Sequence, residues 1–210
     1  SVSEFFLTVG QAGSPPSIST TSFTRPNLPA AIGSDGTKFC IVLEGNEVFE
    51  TTDGITLTSI GEIEGLPQPL QSSFVHTGGN NYSWASNYGD SCFLLKRAGQ
   101  WFLSYAGQMY YTDAATPVGA FTQASFPVVS GAQSFIMTGN IVEYGGKLFA
   151  MGAYFPSGGT ANVNVVFVST NNGASWSVAM DNAALARDVY EIGGVLIAIG
   201  YLLVTQSNIS

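Results

Sequence analysis

The ionisable residues that could perform chemistry are few and widely spaced. Glycoside hydrolysis needs two carboxyl groups held about 5–10 Å apart, and the sequence offers pairs such as Glu62 with Glu64 and Asp181 with Asp188. With fourteen acidic residues some pair of this kind always occurs, and exposed turn and rim charges are the ordinary interpretation of such residues. We therefore expect no catalytic carboxylate pair.

Other catalytic and metal-binding sets are also incomplete. His76 is the only histidine, so a Ser-His-Asp triad would depend on it, and no Gly-x-Ser-x-Gly turn accompanies it. One histidine and two separated cysteines do not make a metal-ligand pattern, and no phosphate-binding or dinucleotide motif occurs. The sequence predicts a protein that is not an enzyme and that holds neither cofactor nor metal.

The two cysteines, Cys40 and Cys92, each lie inside an apolar run. Two cysteines fall well short of a disulfide framework, and a buried thiol behaves as a small hydrophobic group. We interpret both residues as free buried thiols, with a disulfide as the alternative.

The stretch most typical of a binding surface runs from 76 to 88. It combines aromatic rings with amides and glycine, which give recognition loops flat contact area and adaptable hydrogen bonds, and a sugar site needs that combination. The candidate binding residues are Asn80, Asn81, Tyr82, Trp84 and Tyr88. The alternative is that Tyr82 and Trp84 alternate along a strand and anchor the core. Because long loops in compact folds tend to carry function, 154–162 is a second candidate loop.

Charge and hydropathy restrict the partners. Only 10% of residues are charged and the net charge is −8, so no basic surface is available to displace counterions from nucleic acid. The apolar runs are far shorter than the ~20 residues of a membrane helix. We expect no nucleic-acid partner and no membrane insertion, and a surface rich in uncharged polar groups suits extracellular or virion proteins.

The elements that must position these residues are strands arranged in a repeat. Four segments place an apolar strand directly after a glycine-containing turn, with Phe39, Trp101, Leu148 and Leu196 at equivalent positions. These positions are 62, 47 and 48 residues apart, close to the ~40–50 residues of one propeller blade. The spacing predicts an all-β fold, a small β-propeller of four or five four-stranded antiparallel blades.

The repeat also predicts the organisation of the chain. A single domain, 1–210, would contain units around 33–65, 82–126, 135–180 and 185–210. The last unit lacks its outer strand, and we expect 1–9 to supply that strand and close the ring, which would remove exposed sheet edges. The proline-rich segment 10–32 is predicted to be a connection, with an arm to a neighbouring subunit as the alternative.

One turn carries a recognisable motif. Ser169, Asn171, Gly173 and Trp176 resemble the Asp box of sialidase-like (BNR) repeats, Ser-x-Asp-x-Gly-x-x-Trp, with Asn171 in place of the aspartate. The short acceptor side chain caps a tight turn, the glycine adopts the strained φ, and the tryptophan packs beneath the hairpin.

Two degenerate copies occur at the same place in the repeat. Asp53 and Gly54 follow Thr51, with the glycine moved by one position and Leu57 in place of the tryptophan. The third copy begins at 112–113 and reaches Phe121 only after an insertion.

The resemblance implies a propeller and little about activity, since the boxes of this family lie on outer turns away from the ligand. Sialidases of the family need three converging arginines, a tyrosine nucleophile backed by glutamate, and an aspartic acid. Here Arg25 only faintly resembles the family's arginine–proline motif, and Arg97 and Arg187 lie beside strand starts as ordinary turn charges. We expect no sialidase activity.

These expectations lead to a functional hypothesis. The chain is a structural or attachment protein of a viral particle, a bacteriophage tail or capsid component, located in the virion or outside the cell. Its partners would be other virion proteins, further copies of itself, or a cell-surface glycan. The alternative is a propeller-type glycan-binding lectin, and a glycoside hydrolase ranks third.

Overall fold

The structure, a computed structural model, describes residues 3–11, 17–25, 29–67, 70, 74–76, 82–84, 93–105, 108–127, 132–156, 163–180 and 186–200. Every regular element in these residues is a β-strand, and none of them forms a helix long and apolar enough to cross a membrane. The chain divides into two compact units, Ser1–Gln123 (unit 1) and Ala124–Ser210 (unit 2), where the sequence predicted one domain.

Nineteen strands lie in the described residues. In chain order they are β1 (Ser3–Gln11), β2 (Ser17–Arg25), β3 (Pro29–Ser34), β4 (Phe39–Leu43), β5 (Glu47–Thr51), β6 (Thr58–Glu64), β7 (Phe74–His76), β8 (Tyr82–Trp84), β9 (Phe93–Arg97), β10 (Gln100–Tyr105), β11 (Gln108–Thr112), β12 (Gly119–Ala120), β13 (Thr122–Gln123), β14 (Ala132–Tyr144), β15 (Lys147–Pro156), β16 (Val163–Ser169), β17 (Ser177–Met180), β18 (Ala186–Ile192) and β19 (Val195–Gly200).

Three sheets share one plan, four antiparallel strands laid down in chain order. In unit 1 they are β3 to β6 and β9-β10-β11-β13, and in unit 2 β14 to β17. The short strand β12 pairs in parallel with the outer edge of β6. Hairpins β1–β2 and β7–β8 in unit 1, and β18–β19 in unit 2, complete the described strands. The predicted all-β class with four-stranded antiparallel sheets is confirmed.

The glycine turns of the repeat are tight hairpin turns. Gly145 and Gly146 join β14 to β15 with φ values of 58° and 69°, and Gly193 and Gly194 join β18 to β19 with 61° and 79°. Two-residue hairpins of this kind require positive φ at both central positions because their twist then matches that of the strands. The double glycines therefore fix where each strand pair begins.

The four positions taken as equivalent occupy the same place in their sheets. Trp101 lies opposite Lys96 in the preceding strand and Leu148 lies opposite Glu143. Leu196 likewise pairs with Glu191. On the other side, the strands that follow place Thr51 opposite Phe39, Thr112 opposite Trp101 and Ser169 opposite Leu148.

The apolar cores follow from the alternation of side chains along these strands. The largest cluster lies between the two sheets of unit 1 and includes Cys40, Leu94, Trp101, Leu103 and Tyr110. A second cluster in unit 1 covers the other face of β4 and β5. In unit 2 the core joins Val142 of β14 to Val189 of β18.

The first strands of consecutive sheets approach closely. A Cβ atom at Gly33 of β3 would lie 2.4 Å from the carbonyl oxygen of Leu94 in β9. Only glycine permits this approach of one backbone to another. The sheets of unit 1 therefore pack against each other through β3 and β9.

The N-terminal region differs from the expectation. The segment 10–32, predicted as a connection, contains the nine-residue strand β2, and β1 pairs with β2 from Ser3 opposite Arg25 to Gln11 opposite Ser17. Serine, threonine, isoleucine and phenylalanine favour a strand over 17–25, and the prolines that suggested a connection all lie at or beyond its ends.

One predicted boundary also shifts. The unit placed at 82–126 has its first sheet strand at Phe93, because β8 pairs with β7 in a separate hairpin.

Candidate functional site

The predicted binding stretch is described in part. Tyr82 and Trp84 lie in β8, where Tyr82 pairs with His76 and Trp84 with Phe74 of β7. Asn80, Asn81 and Tyr88 lie outside the described residues.

The second candidate loop, 154–162, begins as strand. Residues 154–156 are the last three residues of β15, and Tyr154 pairs with Val163 of β16. The remainder, 157–162, lies outside the described residues.

The first residue of each turn motif is buried. In the described part of the chain four polar residues are buried, and three of them, Thr51, Thr112 and Ser169, open the three motif copies. A buried hydroxyl needs hydrogen-bond partners to offset its lost hydration. This shared burial indicates that the hydroxyls form hydrogen bonds inside their own turns.

The Asn171 turn (169–176) is closed by side-chain hydrogen bonds. The Ser169 hydroxyl accepts a hydrogen bond from the N–H of Gly173 at 2.8 Å and lies 2.9 Å from Asn171 Oδ1. Asn171 Oδ1 also accepts the N–H of Ser175 at 2.9 Å, and Asn171 Nδ2 donates to the Ser175 hydroxyl at 2.9 Å. The amide thus donates and accepts within one turn.

Trp176 anchors the Asn171 turn from below. Its indole Nε1 donates to the carbonyl of Gly173 at 2.9 Å, and its ring lies parallel to Phe126 with a centroid distance of 5.9 Å. Phe126 in turn meets Phe167 of β16 edge to face at 5.1 Å. Three aromatic rings therefore support the turn.

The Asp53 turn (51–57) is closed in the same way, but its glycine follows the opening hydroxyl residue by three positions and not by four. The Thr51 hydroxyl accepts the N–H of Gly54 at 2.9 Å and donates to Asp53 Oδ1 at 3.0 Å. That oxygen also accepts the N–H groups of Ile55 and Thr56, at 2.8 and 2.9 Å. These hydrogen bonds lower the pKa of Asp53 to about 2, and the one from the Thr56 N–H has the largest effect. They do so because they favour the ionised carboxylate.

Leu57 takes the anchor position of the Asp53 turn. It is half-buried and packs against the cluster of Ile41, Leu43 and Phe49. A leucine there supplies apolar contact without the indole hydrogen bond, so the degenerate copy keeps the packing and loses one polar link.

In the third copy, the Asp113 turn (112–121), the tryptophan that contacts the turn is Trp101 of the neighbouring strand β10. Trp101 Nε1 donates to the carbonyl of Ala115 at 3.2 Å. The ammonium of Lys96 donates to the same carbonyl at 3.2 Å and lies 5.4 Å from the Trp101 ring centre, a cation–π arrangement. Phe121, the aromatic residue that follows this turn after the insertion, is buried.

The anchors of two turns also form backbone links to upstream segments. The N–H of Phe121 donates to the carbonyl of Glu64 at 2.9 Å in unit 1, and the N–H of Trp176 donates to that of Ser125 at 2.9 Å in unit 2. Both links form parallel pairings, at β12–β6 and at Ser125–Ser175. Sequence reasoning missed them because parallel pairing between distant residues leaves no local pattern.

A polar groove beside the Asp53 turn was also missed. Its lining residues are Glu50, Thr51, Thr52, Asp53, Thr56 and Thr58. The carboxylate of Glu50 accepts a hydrogen bond from the ammonium of Lys38, the residue before β4, and the two form an ion pair. This hydrogen bond raises the pKa of Lys38. Four threonines within eight residues are the sequence signal that could have pointed to this groove.

The other candidate residues have ordinary surroundings. Cys40 is a free, buried thiol, and burial raises its pKa to about 11, while Cys92 lies outside the described residues. Glu62 and Glu64 are exposed on β6. Arg97 Nη1 donates to the carbonyl of Lys96 at 2.8 Å. No cluster of three or more metal-ligating side chains occurs in the described part of the chain.

Comparisons with known proteins identify no family. No protein-family model and no curated protein matches the chain. Among solved structures, the chain is similar to the computationally designed Ika4 protein, with a TM-score of 0.42 and 8% identity over 84% of this chain and 87% of that one. It is also similar to the phage phi92 endosialidase, with a TM-score of 0.43 and 11% identity, covering 87% of this chain and 33% of that one.

A third similar structure is YCF48 bound to D1 peptide, with a TM-score of 0.30 and 13% identity over 81% of this chain and 61% of that one. This chain thus spans about a third of the endosialidase and less than two thirds of the YCF48 chain.

Proposed function

We propose that the chain is a β-propeller-type scaffold with four units, whose ring brings equivalent turns to one rim. Consecutive sheets repeat one register, and neighbouring first strands pack directly, as Gly33 of β3 does on Leu94 of β9 and Val142 of β14 does with Val189 of β18. That arrangement of first strands is what blades around an axis require. The fourth unit begins with β18 and β19, and β1 is the candidate strand to complete it.

On this scaffold we place the function of a structural or attachment component of a viral particle. The observation that carries this proposal is apolar exposure on regular strands. Val178 and Met180 of the edge strand β17 are 38% and 53% exposed, and Ile192 and Val195 at the β18–β19 turn are 58% and 55% exposed. Apolar side chains on an uncovered edge mark surfaces that pack on other protein.

The polar side chains of the turns support the same proposal. Asp53 and Asn171 direct their acceptor atoms at backbone N–H groups of their own turns, which is a structural use of groups that could otherwise serve a ligand. In this proposal other loops, including the stretch around Tyr82 and Trp84, contact protein or glycan.

Mass measurement in solution tests the assembly. We expect the purified chain to form a defined oligomer, and the double substitution Val178→Lys with Met180→Lys to reduce it to a monomer because two charges would be buried. Ser177→Lys, an exposed polar position of the same strand, is the matched control and should leave the oligomer intact. A wild-type chain that stays monomeric at all concentrations contradicts the proposal.

The alternative is a propeller-type lectin, favoured by the placement of two aromatic residues, Tyr82 and Trp84, in the β7–β8 hairpin. Binding of the monomeric chain to a glycan array, lost in Tyr82→Ala and Trp84→Ala, would make this the primary function. Turnover of a glycoside on the same array would instead indicate the third-ranked hydrolase.

A further inference from the structure

Three Asx–Gly dipeptides occur in this sequence, Asp35–Gly36, Asp53–Gly54 and Asn172–Gly173. An Asx side chain followed by glycine is the pair most prone to imide formation, because glycine has no Cβ to hinder the approach of its nitrogen. All three pairs lie in tight turns where the glycine has positive φ. They are therefore the positions of this chain that are most prone to imide formation.

The reaction joins the glycine nitrogen to the side-chain Cγ of the preceding residue. From asparagine, the new N–C bond forms as the C–N bond of the amide breaks, and ammonia leaves with the proton lost from the glycine nitrogen. From a protonated aspartic acid, water leaves instead. Water then opens the five-membered imide to aspartate or to isoaspartate, in which the backbone runs through the side chain.

In each of the three turns the attacking N–H is already engaged. Gly36 N–H donates to the Ser34 hydroxyl at 3.0 Å, and Gly54 N–H donates to that of Thr51 at 2.9 Å. Gly173 N–H donates to that of Ser169 at 2.8 Å. The hydroxyl lies two, three or four residues before its glycine in the three turns. Three different local geometries therefore produce the same hydrogen bond from the glycine N–H to a hydroxyl.

We propose that the hydroxyls of Ser34, Thr51 and Ser169 protect the Asx–Gly bonds of this chain from imide formation. A glycine nitrogen that donates its proton to a hydroxyl keeps that proton, which imide formation has to remove. Attack therefore requires the hydrogen bond to open first, and the equilibrium for opening scales the rate.

The three sites differ in how much they depend on the hydroxyl. Asp35 and Asp53 have a second safeguard, because Oδ1 of each accepts two backbone N–H groups and the pKa of each is lowered to about 2. An ionised carboxylate is a poor site for attack. Asn172 is an exposed, uncharged amide, so Ser169 is the protection that matters most.

The decisive variant is Ser169→Ala, followed by peptide mapping with mass spectrometry after incubation at mildly alkaline pH. We expect deamidation at Asn172 to accelerate roughly fivefold, the factor that corresponds to one net hydrogen bond. Ser175→Ala removes a hydroxyl from the same turn without touching the Gly173 N–H, and Ser169→Thr keeps the protecting hydroxyl. Both controls should deamidate at the wild-type rate.

Equal deamidation rates in Ser169→Ala and Ser175→Ala, with both variants folded by circular dichroism, would overturn the proposal. If Ser169→Ala does not fold, Ser34→Ala decides, since its turn is exposed. We expect isoaspartate at Asp35 to accumulate faster in that variant than in wild type, measured by enzymatic methylation of isoaspartate, and an unchanged rate refutes the idea.

Discussion

The Asn171 turn and the Asp53 turn solve one structural problem with different chemistry. Both open with a buried hydroxyl that accepts a glycine N–H, and both direct one side-chain oxygen at the backbone beyond. The amide of Asn171 also donates to Ser175, whereas the carboxylate of Asp53 accepts only and gathers two backbone N–H groups. The carboxylate thus accepts more backbone N–H groups than the amide does, but its contribution to stability is lost when acid protonates it.

The largest expected difference lies in the anchors. Trp176→Ala removes a buried ring, its stack on Phe126 and its hydrogen bond to Gly173, and should lower the free energy of unfolding by about 3–5 kcal/mol. Leu57→Ala in the other turn should cost about 1–2 kcal/mol because Leu57 is only half-buried. Urea denaturation of both variants checks the ranking, and equal losses would show that the anchors are equivalent.

The opening hydroxyls should matter equally. Ser169→Ala and Thr51→Val each leave a glycine N–H without its acceptor in a buried place, which should cost about 1–3 kcal/mol. Thr170→Ala, at an exposed neighbouring position, is the control and should change the midpoint of unfolding little. A loss at Ser169 without one at Thr51 would mean that the shorter turn does not depend on its hydroxyl.

The smallest effect is the one that separates the two turns by pH. Because the pKa of folded Asp53 is lowered to about 2 from an ordinary 3.8, its stabilisation is complete above the ordinary pKa and is lost as the pH falls towards about 2. Asp53→Asn should flatten part of the acid decline in the unfolding midpoint, and Asn171→Asp should steepen it.

Asp35 contributes to the same decline, since its pKa is also lowered to about 2, first by the Thr37 hydroxyl. The pH series is therefore best run in parallel on Asp35→Asn and on the double variant with Asp53→Asn. Identical pH profiles for wild type and the double variant would contradict the assigned role of both carboxylates.

The parts of this fold that sequence reasoning could predict are the local ones. Glycine-containing turns and the apolar runs after them determine hairpins within a few residues, so the equivalence of Trp101, Leu148 and Leu196 follows from the sequence alone. The Asn171 turn was predictable for the same reason. Strand β2 was missed because flanking prolines dominated the interpretation of a segment whose interior favours a strand.

Long-range pairings could not be predicted. The link from Phe121 to Glu64 joins residues far apart in sequence, and the use of Trp101 by the Asp113 turn depends on how β10 packs beside it. The candidate binding residues Tyr82 and Trp84 lie in a hairpin, and their part in ligand recognition stays a prediction.

The direction of the two anchor links has a consequence for biosynthesis. In each, the carbonyl belongs to the earlier residue, Glu64 or Ser125, and the N–H to the later one, Phe121 or Trp176. As the chain leaves the ribosome, the earlier segment, at Glu64 or Ser125, is therefore made before the later one, although Ser125 also donates its own N–H to the later carbonyl of Ala174. Chains fold largely from the N-terminus during translation, so each new hairpin meets a docking point that is already outside the exit tunnel.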